Sequence, residues 1–119
     1  MTVDWNPVLV EKALWELKER IAKGVMIVDQ ALKDFDDADE EFVLAEAKAY
    51  LACDEYPAHE RKYHTVLAVA KERVKRRVAE RAFKKATNNM FALKDGLEAV
   101  RSIGSGVREA YKLAGVGER

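Results

Sequence analysis

The chain has 119 residues, 49% apolar and 35% charged, with 21 basic side chains balancing 21 acidic ones. That length fits one domain, and a formal net charge of zero gives no overall pull toward nucleic acid or an anionic membrane. With two prolines, six glycines and no alternating β-branched stretch between turn signals, the expected class is all-α.

Asn6 ahead of Pro7 predicts a helix start, a capping side chain before a residue whose fixed φ suits the first helical position. Asp4 can cap one turn earlier, with Val3 or Trp5 folded over the opening turn. A seven-residue repeat then runs along one helix, residues 6–53. One line of it is Leu14, Ile21, Val28, Phe35, Phe42 and Ala49, and the other is Val10, Leu17, Gly24, Ala31, Ala38, Ala45 and Ala52. A repeat of 3.5 residues commits one helical face to a partner helix. After Leu17 the second line holds only Gly and Ala, so the partner backbone is expected near the short end of the usual ~8–10 Å spacing. Short acidic residues from Asp34 to Glu41 favour caps over helix interiors. The repeat passes through them in phase, so a continuous helix is expected there, with or without a bend.

Residues 54–57 read as a turn, because a residue before proline leaves the helical region and Pro57 suits a first helical position. So short a connection makes the next helix, 57–102, an antiparallel neighbour. Its apolar residues fall into two phases. Tyr63, Leu67, Ala70 and Val74 form the first, and Ala79, Phe83, Ala86, Met90, Leu93, Leu97 and Val100 the second, shifted by two residues. The slip near Val74 to Val78 falls opposite Phe35 to Ala38 and predicts a kink shared by both arms or a change of partner there. An alternative architecture breaks both arms near residues 36 and 76 into four shorter helices. Gly104-Ser105-Gly106 is expected to stop the helix, leaving a short helix 106–114 on Val107, Tyr111 and Ala114 before Gly115 and Gly117 release the tail.

His59, Glu60 and His64 resemble a zinc-protease spacing only superficially, since that motif needs histidines four apart on one helical face and here the gap is five. Surface histidines near a turn are the simpler reading. Cys53, the single cysteine, is expected as a small buried residue at the hairpin tip. No nucleophile–base arrangement, phosphate loop or metal-ligand cluster stands out, so neither an enzymatic activity nor a cofactor is expected. No basic start followed by an apolar run opens the chain, and no stretch reaches the ~18–20 apolar residues of a bilayer span, so a cytoplasmic protein without membrane contact is expected.

Charge is unevenly placed. Arg73, Lys75, Arg76, Arg77, Arg81, Lys84 and Lys85 crowd the second helix, while Asp29, Asp34, Asp36, Asp37, Asp39, Glu40, Glu41 and Glu46 crowd the first. Hairpin geometry sets the two runs side by side, so charge pairing explains both, and contact with a phosphate backbone is the alternative. Trp5, Trp15, Val25, Ile27 and Leu32 on the first helix, with Val66, Val69 and Phe91 on the second, lie beside the seam. Two helices alone leave them wet. A homodimeric four-helix bundle, a higher oligomer or another protein would cover them.

At Ala45-Glu46-Ala47-Lys48-Ala49-Tyr50-Leu51-Ala52, then Glu60-Arg61, Ala79-Glu80 and the run from Lys84 to Ser102, the chain resembles a loose group of small proteins with two long helices. These are encoded in early or recombination-associated regions of bacteriophages and prophages. The resemblance spans about half the chain and brings no catalytic motif with it. It implies an accessory protein in the host cytoplasm, acting on DNA metabolism through protein contacts or weak DNA contacts. The expectation from residues and resemblance together is a non-enzymatic helical interaction module.

Overall fold

A computed structural model describes residues 4–115, in which the chain forms α1 (Pro7–Ala52), α2 (Ala58–Ala68) and α3 (Ala70–Leu113), with no strand among the described residues. The architecture is an antiparallel helical hairpin. Asn6 caps α1, its Oδ1 accepting the Leu9 amide at 3.0 Å. Val3 and Gly117, assigned to the opening turn and the tail, lie outside the described residues. α1 is unbroken through Asp34 to Glu41, so the acidic stretch does not end the helix. Packing of Phe35, Ala38 and Phe42 outweighs the local preference of aspartate for caps.

The long second helix and short third helix expected from sequence are replaced by a different division. α2 stops at Ala68, Val69 stands between helices with φ −107° and ψ 17°, and α3 continues to Leu113 straight through Gly104-Ser105-Gly106. Pro57 precedes α2 as its cap rather than as its first residue. At Val69 the hydrogen-bond ladder still crosses the joint, since its amide donates to Thr65 O at 3.1 Å and its carbonyl accepts from Arg73 at 2.9 Å. Val69 is only 1% exposed. Burying that side chain contributes ~1.5–3 kcal/mol to holding the joint in place.

The chain forms two compact units. The terminal unit takes the chain up to Met26 and from Asn88 onward, and the turn unit is Ile27–Thr87. In the terminal unit Leu14, Leu17 and Ile21 of α1 and Leu93 and Leu97 of α3 are half-buried. Small residues set the helix spacing there. A Cβ on Gly104 would sit 2.8 Å from Val10 Cγ1, and one on Gly24 would sit 2.6 Å from Met90 Cε. That close approach of Val10 is why Gly104 lies inside α3 and does not end it. α3 ends instead at Gly115, whose φ of 75° is the left-handed C-cap conformation, with its amide bonded to Lys112 O at 3.0 Å.

In the turn unit Phe35 stacks on Phe83 with centroids 6.3 Å apart, and Ala38 is buried at 3% exposure. Val28, Ala31, Phe42 and Ala45 are half-buried beside them. Cys53 and Thr65 are buried at the turn with Sγ and Oγ1 4.0 Å apart. Arg61 holds the turn by donating to Tyr56 O at 3.0 Å and Asp54 O at 3.3 Å, and Tyr56 stacks on His64 at 3.5 Å between centroids.

The two-residue slip is absent. Thr65, Val69, Glu72, Arg76, Ala79, Phe83, Ala86, Met90, Leu93, Leu97, Val100, Gly104, Val107 and Tyr111 are all buried or half-buried, and they alternate in steps of four and three without a fault. Leu67 and Val74, expected on the seam, are instead 75% and 54% exposed, and Tyr63 and Ala70 are exposed with them. Val69, expected beside the seam, lies on it.

The glycines allow a direct test. Replacing Gly106, which has nothing within 4 Å, by alanine should raise stability by ~0.5–1 kcal/mol through helix propensity. Gly104→Ala gains the same propensity but drives a methyl into the stiff Val10 side chain, at an overpacking cost of ~1–3 kcal/mol. Urea denaturation should therefore order the proteins as Gly106→Ala, then wild type, then Gly104→Ala. The reverse order for the two variants would disprove the close contact.

Candidate interaction site

The candidate site lies in the turn unit, where the acidic run of α1 faces the basic run that opens α3. α1 presents Phe35 and Phe42 to α3, and the residues that meet them are largely arginines. The Arg76 guanidinium lies 5.5 Å from the Phe35 centroid and 6.0 Å from that of Phe42, and Arg73 lies 5.7 Å from Phe42. A guanidinium suits this position because its planar, weakly hydrated cation is attracted to an aromatic face. Arg76 Nε also donates to Asp39 Oδ1 at 2.5 Å, with Glu80 a further carboxylate 3.7 Å away. On the opposite flank Lys75 Nζ donates to Glu41 Oε2 at 2.7 Å.

From the sequence, Arg73, Lys75, Arg76 and Arg77 are expected against Asp34, Asp36, Asp37 and Asp39. The structure brings Arg76 to Asp39, but Lys75 takes Glu41, and Asp34 accepts a hydrogen bond from Gln30 at 2.8 Å. Arg73 lies over Phe42, and its Nε has no hydrogen-bond partner, like the neighbouring Glu72 Oε2. Lys84 bonds Glu80 one turn back at 3.1 Å. Arg77, Arg81 and Lys85 are exposed and have no carboxylate within 4.0 Å among the described residues. Lys75 and Arg76 thus pair across the helices, Lys84 pairs along α3, and Arg77, Arg81 and Lys85 stand exposed.

The exposed apolar residues continue this outer surface. Tyr63, Leu67, Ala70 and Val74, then Arg77, Arg81 and Lys84, follow one another in steps of four and three, so a single stripe passes from apolar to basic. Thr65, Glu72 and Arg76 are the polar seam residues that sequence reasoning missed, because it counted only apolar side chains. Stepping back by sevens from Phe83 and Ala86 reaches Arg76, Val69, Ala79, Glu72 and Thr65, which was the available signal. His59 and His64 each lie 3.9 Å from a Glu60 carboxylate oxygen and are exposed and half-buried, respectively. Trp15, Val25, Ile27, Leu32, Val66 and Phe91 are exposed. No helix among the described residues is long and apolar enough to cross a membrane. No protein-family model, curated protein or solved structure matches this chain.

The Arg76–Asp39 contact predicts a charge-swap result. Arg76→Asp should lower the melting temperature, because it removes both the ion pair and the cover of two rings, and adding Asp39→Arg should recover part of the loss. Additive losses in the double variant would show that the two side chains are not coupled.

A second prediction concerns alkaline pH. The hydrogen bond to Glu41, followed by the charge of that carboxylate, raises the Lys75 pKa. The group's folded value exceeds its unfolded one, so its contribution is complete below the ordinary lysine value and fades as pH rises through the raised value. Lys75→Met should be less stable than wild type at neutral pH and show a shallower loss over that alkaline window. Parallel melting curves across the whole range would contradict this.

Proposed function

We propose that the protein is a non-enzymatic helical interaction module that works through protein contacts. One observation supports this above others: the apolar stripe Tyr63, Leu67, Ala70 and Val74 is spaced like a packing face yet stands in solvent. Exposed apolar side chains aligned along a helix mark surfaces that bind other helices. The partner is a second copy of the chain or another protein. The resemblance to phage accessory proteins supports a setting in host or phage DNA metabolism, in the host cytoplasm.

A second reading, a nucleic-acid-binding accessory, draws on Arg77, Arg81 and Lys84, which extend the same stripe, with Lys85 beside them. Against it, Lys75 and Arg76 are engaged by Glu41 and Asp39, and Lys84 by Glu80, which takes three of the seven cations of the basic run away from phosphates.

Affinity capture from a host lysate, with and without nuclease, tests both readings. The expected outcome is nuclease-resistant capture by the wild type and its loss in a folded Leu67→Glu/Val74→Glu variant. Binding to DNA or RNA that falls steeply between ~50 and ~200 mM salt, and that vanishes in Arg77→Glu/Arg81→Glu, would select the second reading instead.

A further inference from the structure

The terminal unit holds a cleft that plays no part in the stripe of the turn unit. It measures about 480 Å3 and lies between the opening turns of α1 and the last part of α3. That volume falls within the ~300–1,000 Å3 of small-molecule sites. Its floor is apolar and closed, because Val10 and Gly104 are both buried and meet so closely that a Cβ on the glycine would sit 2.8 Å from Val10 Cγ1. Half-buried Leu14 completes the apolar lining on α1. On α3 the glycine leaves a notch, with Arg101 three residues before it and Arg108 four residues after it, about 10 Å apart along the helix. Glu11 stands on the α1 bank.

The charges of the cleft do not cancel one another. Arg101 Nη1 is bonded at 2.7 Å to Glu98, which does not line the cleft. Arg108 and Glu11 are exposed, and neither has an oppositely charged group within 4.0 Å among the described residues. In the turn unit, Lys75 and Glu41 also share a groove between α1 and α3, and there they close on each other at 2.7 Å. The terminal cleft instead keeps a carboxylate on one bank and guanidinium groups on the other, with apolar surface between them.

We propose that this cleft binds a small zwitterion with an apolar body, a free amino acid such as leucine or the two ends of a short peptide. The ligand carboxylate accepts from Arg108, with Arg101 beside it, since a planar guanidinium donates two parallel N–H bonds to a carboxylate. The ligand ammonium donates to Glu11, and the apolar body lies on Val10 and Leu14. Each lining group selects for this class. A simple anion meets the charge of Glu11, a simple cation meets two arginines, and a neutral apolar molecule desolvates charged groups without replacing their bonds to water. The site goes beyond the interaction-module reading and does not depend on it.

Amide shifts of the full chain, followed by NMR as ligand is added, test the site. The probes are leucine, the dipeptide leucyl-leucine, N-acetyl-leucine, which lacks the ammonium, and leucinamide, which lacks the carboxylate. The zwitterions should move the Val10, Leu14 and Gly104 amides saturably, and the tighter of the two tells a free amino acid from a peptide. That zwitterion should bind at least about threefold more tightly than either capped form, a factor within reach of one exposed ion pair. Glu11→Gln should weaken it and narrow its advantage over N-acetyl-leucine, and Arg108→Gln should weaken it and narrow its advantage over leucinamide, both with unchanged circular dichroism. A cleft that merely collects anions prefers N-acetyl-leucine and gains affinity in Glu11→Gln, and that result overturns the proposal. Absence of any saturable shift up to roughly 10 mM, or binding indifferent to both variants, overturns it too.

Discussion

Two phenylalanine rings on α1, Phe35 and Phe42, have to be covered by a helix whose facing positions are mostly not apolar. Phe83 covers part of the first, and guanidinium groups from Arg73 and Arg76 cover the rest. A cation brought between two helices is stabilised where a carboxylate meets it, as Asp39 meets Arg76. The segregation of acidic residues onto α1 and basic residues onto α3 fits that pairing, as does the register of the turn unit. A pair of leucines in place of Arg76 and Asp39 would pack against the rings but leave the register to shape alone.

How far the sequence revealed this differs between the two arms. On α1 the seam was readable residue by residue, because every position from Val10 to Ala49 holds an apolar side chain or glycine, and Asn6 with Pro7 announced its start. On α3 it was readable only where the same condition held, from Ala79 to Val100. Upstream, the seam passes through Thr65, Glu72 and Arg76 while Leu67 and Val74 face solvent, so a count of apolar side chains selects the wrong face. Gly104 misled in another way. Local propensity reads it as a helix end, but the constraint is tertiary, the close approach of Val10, and no window of neighbouring residues contains it. The charged half of the candidate site was legible as two opposed runs; the pairing of Lys75 with Glu41 depended on side-chain reach across the helices and was not.

The same displacement of apolar residues from seam to surface bears on function. A chain selected only to hold two helices together has little reason to set Tyr63, Leu67 and Val74 in water while arginine and glutamate occupy the seam. Polar residues inside and apolar residues outside reverse the usual division on the turn unit's basic arm. Uncovered apolar surface of this kind is a standing aggregation hazard unless something covers it. The cations that continue the stripe keep that surface soluble and exclude partners of like charge.

The anchored turn has a consequence for the order in which contacts form. Arg61 fastens the carbonyls of Tyr56 and Asp54, and the Cys53–Thr65 contact closes a loop of sequence separation 12. Asp39 and Arg76 are 37 apart in sequence, and Val10 and Gly104 lie near opposite ends of the chain. Loop-closure entropy rises by ~0.6 kcal/mol for each doubling of length, so every contact is cheapest once its neighbour nearer the turn has formed. The chain is built to close like a zipper with its slider at Pro57, each bonded layer shortening the loop that the next must close.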